Sequence, residues 1–365
     1  MKKLISVLLT AAMISVLCAC GGGSSSTSKP AAASTAADKA VGEAVSLADQ
    51  SGQKGEGSYN GKSYNFQLGH HMQAEHSTNI YAEYFVEELE RLSGGKITAT
   101  IYPAGQLGNQ AENTEAVRLG TLEMTISDLP SIATLYTPAD IIGLPYLFQD
   151  MEHVERFYDS QEFESFKGEI AGATGIKVLS DSHSGMRMVY SQNPINGVAD
   201  MKNLKIRVPE IPVYVNTFAN LGCSTTPIPF SEIYTSLQTG VVDALELPPE
   251  GFYSASLYEV TKCMAVTNHI YCDMALLMNN DLFNSLEPEA QAIIQEAAKT
   301  AAEKHRELVK DQTEELISEI KGKGLTVTEP SFEEFQNATS KVWDDFIGKN
   351  ENGQALIDVV KALEQ

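Results

Sequence analysis

The chain has 365 residues and a formal net charge of −22. A surface this acidic repels nucleic acid and anionic bilayers, so neither is expected as its main partner. A small anion remains compatible with it if a few local cations converge, which makes each arginine worth placing.

Lys2 and Lys3 open the chain, and an apolar run from Leu4 to Leu17 follows, broken only by Ser and Thr. The run is short for a membrane span and fits the apolar region of a secretory signal, expected to occupy residues 1–19. Leu17-Cys18-Ala19-Cys20 resembles a lipobox, with Cys20 as the residue that would carry a diacylglycerol. Each buried methylene of such an anchor contributes about 0.8 kcal/mol of membrane affinity. Residues 20–60 are rich in Gly, Ser, Ala and Thr and read as a flexible tether. The remainder, about 300 residues, is enough for two lobes.

Lys62 to Leu68 reads as a strand. Tyr81, Tyr84, Phe85, Leu89 and Leu92 recur at helical spacing until Ser93-Gly94-Gly95 stops them. Ile97, Ala99 and Ile101 alternate as a strand. A helix is expected over Gln110–Leu119, capped by Asn109 and left through Gly120, before a strand at Leu122, Met124 and Ile126. This order implies right-handed crossovers and a largely parallel sheet. The unit returns with a strand at Lys205–Val208, a helix from Pro212 towards Gly222, and a helix capped by Ser231 and ending at Gly240. A strand over Val241–Glu246 follows. From Pro288 to about Lys321 nothing breaks a helical pattern, and a helix that long spans on the order of 50 Å. That exceeds one small lobe, so the helix is expected to brace both. Two α/β units place a ligand cleft beyond the carboxyl ends of the strands.

Few residues suggest chemistry. Arg207 ends a strand just before Pro209, where its planar fork could take both oxygens of a carboxylate. Arg187 is a second candidate cation, Phe230 a candidate ring over a ligand, and Asp128 an acceptor for ligand hydroxyls or amines. Each also has an ordinary structural reading as an ion pair, core ring or turn cap. His70, His71, Glu75 and His76 form the one cluster suggestive of a metal, but no second set of ligands accompanies them. Cys223, Cys263 and Cys272 remain after the signal; Cys263 and Cys272 could pair, with three buried thiols the favoured reading. Nucleophile elbow, phosphate loop and zincin motifs are absent, so neither an enzyme nor a cofactor is expected.

The order Ser93-Gly94-Gly95-Lys96, Tyr102-Pro103, Gln106-Leu107-Gly108 and Leu144-Pro145-Tyr146-Leu147-Phe148 carries a resemblance. So do Lys205-Ile206-Arg207-Val208-Pro209, Thr226 to Tyr234, Leu237-Gln238-Thr239-Gly240, Val242-Asp243 and Thr267-Asn268-His269. Together they resemble the substrate-binding proteins of TRAP transporters, the DctP family. The resemblance implies a two-lobed periplasmic-binding-protein-like α/β clamp with crossing hinge strands and a long helix across both lobes. Residues 61–184 plus 273–312 would form one lobe, and 185–272 plus 313–365 the other. It implies capture of a small organic acid anion by a monomeric, extracytoplasmic, lipid-anchored protein that serves TRAP permease subunits in the membrane. Arg207 would hold the carboxylate, with Arg187 as second cation and Phe230 packing on the ligand. Asp128, His71 and Gln110 would supply further polar contacts. Leu247 stands where sialic-acid binders carry Asn, which disfavours that ligand, and Glu210 would face the cleft and, with Asp128, disfavour a second carboxylate unless Arg187 compensates. A ligand sensor of the same fold, or a metal-binding lipoprotein, is the alternative.

Overall fold

The structure is a computed structural model that describes Gly57 and residues 59–364. The expected signal peptide, Cys20 and most of the expected tether lie outside the described residues. The first β-α units run β1 (Tyr64–Gly69), α1 (Ser77–Ser93), β2 (Ile97–Tyr102), α2 (Gln110–Leu119) and β3 (Met124–Ser127). Then come α3 (Met151–Tyr158), α4 (Gln161–Thr174) and β4 (Ile176–Met186). The second set is β5 (Met188–Ser191), β6 (Lys205–Val208), α5 (Pro212–Asn220), β7 (Ser224–Pro227), α6 (Ile233–Gln238), β8 (Ala244–Leu247), α7 (Pro249–Ser254) and β9 (Cys263–Ala265). The chain closes with β10 (Tyr271–Asn279), α8 (Asn280–Ser285), α9 (Pro288–Gly322), β11 (Thr326–Thr328), α10 (Phe332–Lys349) and α11 (Gly353–Ala362).

Two mixed sheets result, in the orders β2-β1-β3-β10-β4 and β11-β9-β5-β8-β6-β7. Within the first, β1 pairs parallel with β2 and β3, as crossover helices require. In the second, β6 pairs parallel with β7 and β8. The antiparallel members, β10 and β5, make each sheet mixed rather than largely parallel. They arise from two short crossings between the sheets, and a third crossing runs through α8 and α9 to β11. After β4 it enters β5 with only Arg187 between, and after β9 it returns to the first sheet in β10. The two crossing segments bond to each other: the Arg187 N–H donates to the Ile270 carbonyl (2.9 Å) and the His269 N–H to the Arg187 carbonyl (3.3 Å). Arg187 therefore sits at the hinge between the sheets.

Side-chain alternation on these strands makes two apolar layers rather than one core per sheet. On β10, Ala275 and Leu277 join Phe163, Phe218 and Phe335 on one side. Met274, Leu276 and Met278 join Phe85, Leu89 and the buried alanines of α9 on the other. Each layer draws on both sheets. Burying one such Leu or Phe stabilises the fold by about 1.5–3 kcal/mol. The 35 residues of α9 pack against α1 and β4 of the first sheet and α7 of the second, which makes it the expected brace. Ala290, Ala297, Ala298, Ala301 and Ala302 are buried, and their small side chains let the helix lie close to its neighbours. His305 of α9 is fully buried, bonded to Ser182 Oγ (2.7 Å) and Ser77 Oγ (2.9 Å), and stacks on Tyr81. Glu250, in the first turn of α7, reaches across to the start of α1, its carboxylate accepting from both the N–H (2.5 Å) and the hydroxyl (2.7 Å) of Ser77.

Local chemistry explains most boundaries and several departures. Asn109 and Glu112 form the reciprocal capping box that starts α2, and Gly120 leaves it at φ 73°, a left-handed conformation that a Cβ disfavours. Ser231 is not a cap: the helix opens with a tight turn over Phe230–Glu232, and Ser231 lies exposed within it. The strand expected over Val241–Glu246 is shifted to Ala244–Leu247. The Val241 and Val242 N–H groups are still spent on the Ser236 carbonyl at the end of α6, so pairing begins only at Ala244. Leu122 likewise belongs to the turn after α2 and packs in the opposite layer from Met124 and Ile126. Tyr59, expected within the tether, is buried and its hydroxyl donates to Glu287 beside α9 (2.8 Å). The three cysteines described are free thiols, with Cys263 and Cys272 buried and Cys223 only half-buried.

Candidate functional site

A cleft lies between the two sheets, in two adjoining compartments. The outer one, of about 110 Å³, is lined by His71 and Gln110 from the first sheet's loops and by Arg207, Glu210 and Phe230 from the second's. The inner one, of about 30 Å³, adds Asp128, Arg187, Leu247, Cys272, Asp273 and Met274. His71, Gln110, Arg207, Pro209 and Phe230 border both compartments. All eight residues singled out in the sequence line one or both.

Arg207 is only 3% exposed. Its Nε–H donates to the Ile228 carbonyl (2.8 Å), a bond that fixes the guanidinium at the end of β6. Among the described residues it takes part in no ion pair. Burial drives its pKa down to about 9, with Glu246 pulling it back up and Arg187 adding to the depression. A buried cation without a counter-ion is costly, and an anion in the cleft would offset that cost. Phe230 is buried beside it and meets the His71 ring edge-on at 6.1 Å. Burial, the neighbouring histidines His70 and His76, and both guanidiniums drive His71 down to about 3, so its imidazole is neutral.

Arg187 presents the opposite case. Its Nε and Nη2 hold both oxygens of Glu246 at 2.5 and 2.7 Å, Nη1 lies 3.1 Å from the Cys272 thiol, and its face covers Tyr214 at 4.8 Å. Glu246 is fully buried and also lies 3.3 Å from His269 Nε2. The sequence reading made Arg187 a second cation for the ligand; its fork is already filled by Glu246, an ion-paired partner that the residue order did not reveal. Its interaction with Arg187, against the opposing effect of burial, keeps the Glu246 carboxyl below the usual range.

Asp128 opens a tight turn without capping it; its carboxylate accepts from the Gln110 amide and from the Tyr214 hydroxyl (3.4 Å). Glu210 lies exposed at the mouth of the outer compartment, and Leu247 is an apolar wall of the inner one. In the histidine cluster, His76 accepts from the Thr78 N–H as the cap of α1, and His70 bonds Asn79 (3.2 Å). Only His71 of the cluster lines the cleft, and no group of three potential metal ligands converges among the described residues. Residues around the cleft to which sequence reasoning gave no site role are Glu246, His269, Tyr214, Cys272 and Asp273. The available signal was an acid inside an apolar strand, Glu246 in Ala-Leu-Glu-Leu and Asp273 in Tyr-Cys-Asp-Met-Ala-Leu-Leu, since buried carboxylates need a reason.

The profile of the family described as bacterial extracellular solute-binding protein, family 7 (DctP), matches residues 68–350. The sialic acid-binding periplasmic protein SiaP of Vibrio cholerae is 30% identical over 282 residues, covering 77% of this chain and 87% of that one. The 2,3-diketo-L-gulonate-binding periplasmic protein YiaO of Escherichia coli is 30% identical over 300 residues, covering 81% and 91%. Among solved structures, a TRAP periplasmic solute-binding protein of Desulfovibrio desulfuricans with bound sn-glycerol-3-phosphate superposes with a TM-score of 0.80 at 28% identity. It covers 83% of this chain and 98% of that one. A Roseobacter denitrificans protein with bound L-galactonate gives 0.76 at 28% identity, with 84% and 100% covered.

Proposed function

The chain belongs to the bacterial extracellular solute-binding protein family 7, the DctP family, and from that premise we propose that it grips a small organic acid anion through Arg207 and hands it to a TRAP-type membrane permease. The family is one of transport components rather than enzymes. The observation that carries the reading is a buried guanidinium, held rigid by the Ile228 carbonyl and free of ion pairs among the described residues, bordering both compartments of the cleft. A carboxylate there would form charge-assisted bonds in a low-dielectric site. The relatives that bind sugar acids and keto acids support the class of ligand.

The cleft walls come from both sheets, and the sheets meet at Arg187, His269 and Ile270. Ligand contacts on the two walls would favour the closed over the open form by the difference in affinity between them. The mature chain acts as a monomer on the outer face of the membrane, tethered through a lipid on Cys20. No helix among the described residues is long and apolar enough to cross a membrane. Cys20→Ala should move the protein from the membrane fraction to the soluble one; retention in the membrane would refute the anchor. For the ligand, thermal-shift screening of organic acids identifies binders, since saturation at a hundred times Kd stabilises by about 2.7 kcal/mol. Calorimetry on Arg207→Ala then decides the reading: an unchanged affinity for the identified acid would sink it.

A further inference from the structure

Two carboxylates border the inner compartment side by side. Asp128 follows β3, Asp273 lies on β10, and the N–H of Leu129, next after Asp128, donates to Asp273 Oδ2 (2.8 Å). They are 7% and 1% exposed. Asp273 Oδ1 is buried with no hydrogen-bond partner among the described residues, on a side chain that lines the compartment. Neither acid belongs to an ion pair among the described residues, because the nearby cation, Arg187, is held by Glu246. Burial raises both carboxyls, Asp128 to about 6 against the opposing pull of Arg187, and Asp273, which Asp128 raises further, well above its usual range. Of the remaining lining, Met72, Ile126, Leu247 and Met274 are apolar, Thr78, Gln110 and Ser127 are polar and uncharged, and Arg207 is the other cation.

Among the described residues around the cleft this leaves one guanidinium without an ion pair, Arg207, against the Asp128–Asp273 pair inside and Glu210 at the mouth. We infer that the Asp128–Asp273 pair is a donor-reading subsite that selects a ligand with one carboxylate and, at its other end, a hydroxyl, and that rejects dicarboxylates. A hydroxyl donates to Asp273 Oδ1 and gives that buried oxygen the partner it lacks. A second carboxylate adds a charge beside the ionised member of the pair with no free cation to offset it, a like-charge contact strengthened by the low dielectric. The inference rests on Arg207 being the carboxylate anchor.

The test uses the full chain in detergent and triplets of acids matched in length. At four carbons these are 4-hydroxybutyrate, succinate and butyrate; at six, galactonate, galactarate and hexanoate. Calorimetry should show the hydroxylated monoacid binding at least tenfold tighter than both companions in at least one triplet. Asp273→Asn, with folding checked by its unfolding midpoint, should shrink that preference over the diacid at least tenfold. Asp128→Asn makes the same test if Asp273→Asn does not fold. Diacids that bind as tightly as the hydroxylated monoacids, with binding still abolished in Arg207→Ala, would overturn the subsite and leave the anchor standing. A preference that survives in the folded variants overturns it as well. Failure of every acid to bind would overturn anchor and subsite together.

Discussion

Two arginines, 20 positions apart, end up buried in the same cleft with opposite electrostatic states. Arg187, at the hinge, has its fork filled by Glu246, its face covered by Tyr214 and a thiol beside it. Arg207, at the tip of β6, has one carbonyl and, among the described residues, no carboxylate. The first arrangement is complete within the chain. The second leaves its charge uncompensated among the described residues, and the proposed ligand role rests on that difference. Burial alone does not separate them, since both are under 5% exposed; the inventory of partners does.

That contrast can be broken at its paired side first. Glu246→Gln leaves the Arg187 charge buried without a counter-ion, and truncating one member of a buried pair costs about 3–5 kcal/mol of stability. Denaturant unfolding at neutral pH measures it. The sign with pH follows: the Glu246 pKa is depressed in the fold, so its contribution is present above its unfolded value near 4.5 and is lost as pH falls through the folded one. Variant and parent should converge in acid.

The next largest effect lies on the unpaired side. Arg207→Ala should cost about 2–5 kcal/mol of affinity for the acid ligand, while ligand-free stability is unchanged or higher because an uncompensated buried charge has gone. A loss of stability resembling that of Glu246→Gln would show that Arg207 is also a structural cation.

The smallest effect sharpens the comparison. Asp128 is an acid left without an ion pair among the described residues, and burial holds its carboxyl up at about 6. The native chain therefore binds a proton that the unfolded chain has released above about 4, and stability falls as pH rises from about 4 to about 6. Asp128→Asn removes that loss. Without ligand its melting temperature should exceed the parent's by ~2 °C or more at pH 7.5 and match it at pH 4; an equal gain at both would assign the effect to packing.

Much of the fold was legible because it is written in local periodicity. The alternation at Ile97, Ala99 and Ile101, the capping pair Asn109 and Glu112, and the unbroken run after Pro288 are short-range signals that tertiary contacts reinforce. The misplaced strand at Val241 shows the limit. Whether a residue extends a strand depends on a neighbour to pair with, and Val241 is still bound to the preceding helix.

From the sequence by itself came the elements, their order, the acidic charge balance and the arginine at the end of β6, because each depends on residues close together in the chain. Tertiary structure alone decided which of the two arginines is satisfied. Arg187 and Glu246 are 59 positions apart, and Asp273 meets the turn after Asp128 from 144 positions away. Whether a buried charge has a partner is a property of three-dimensional neighbours, and the energy of a charge in a dry site is fixed by those neighbours rather than by its own side chain.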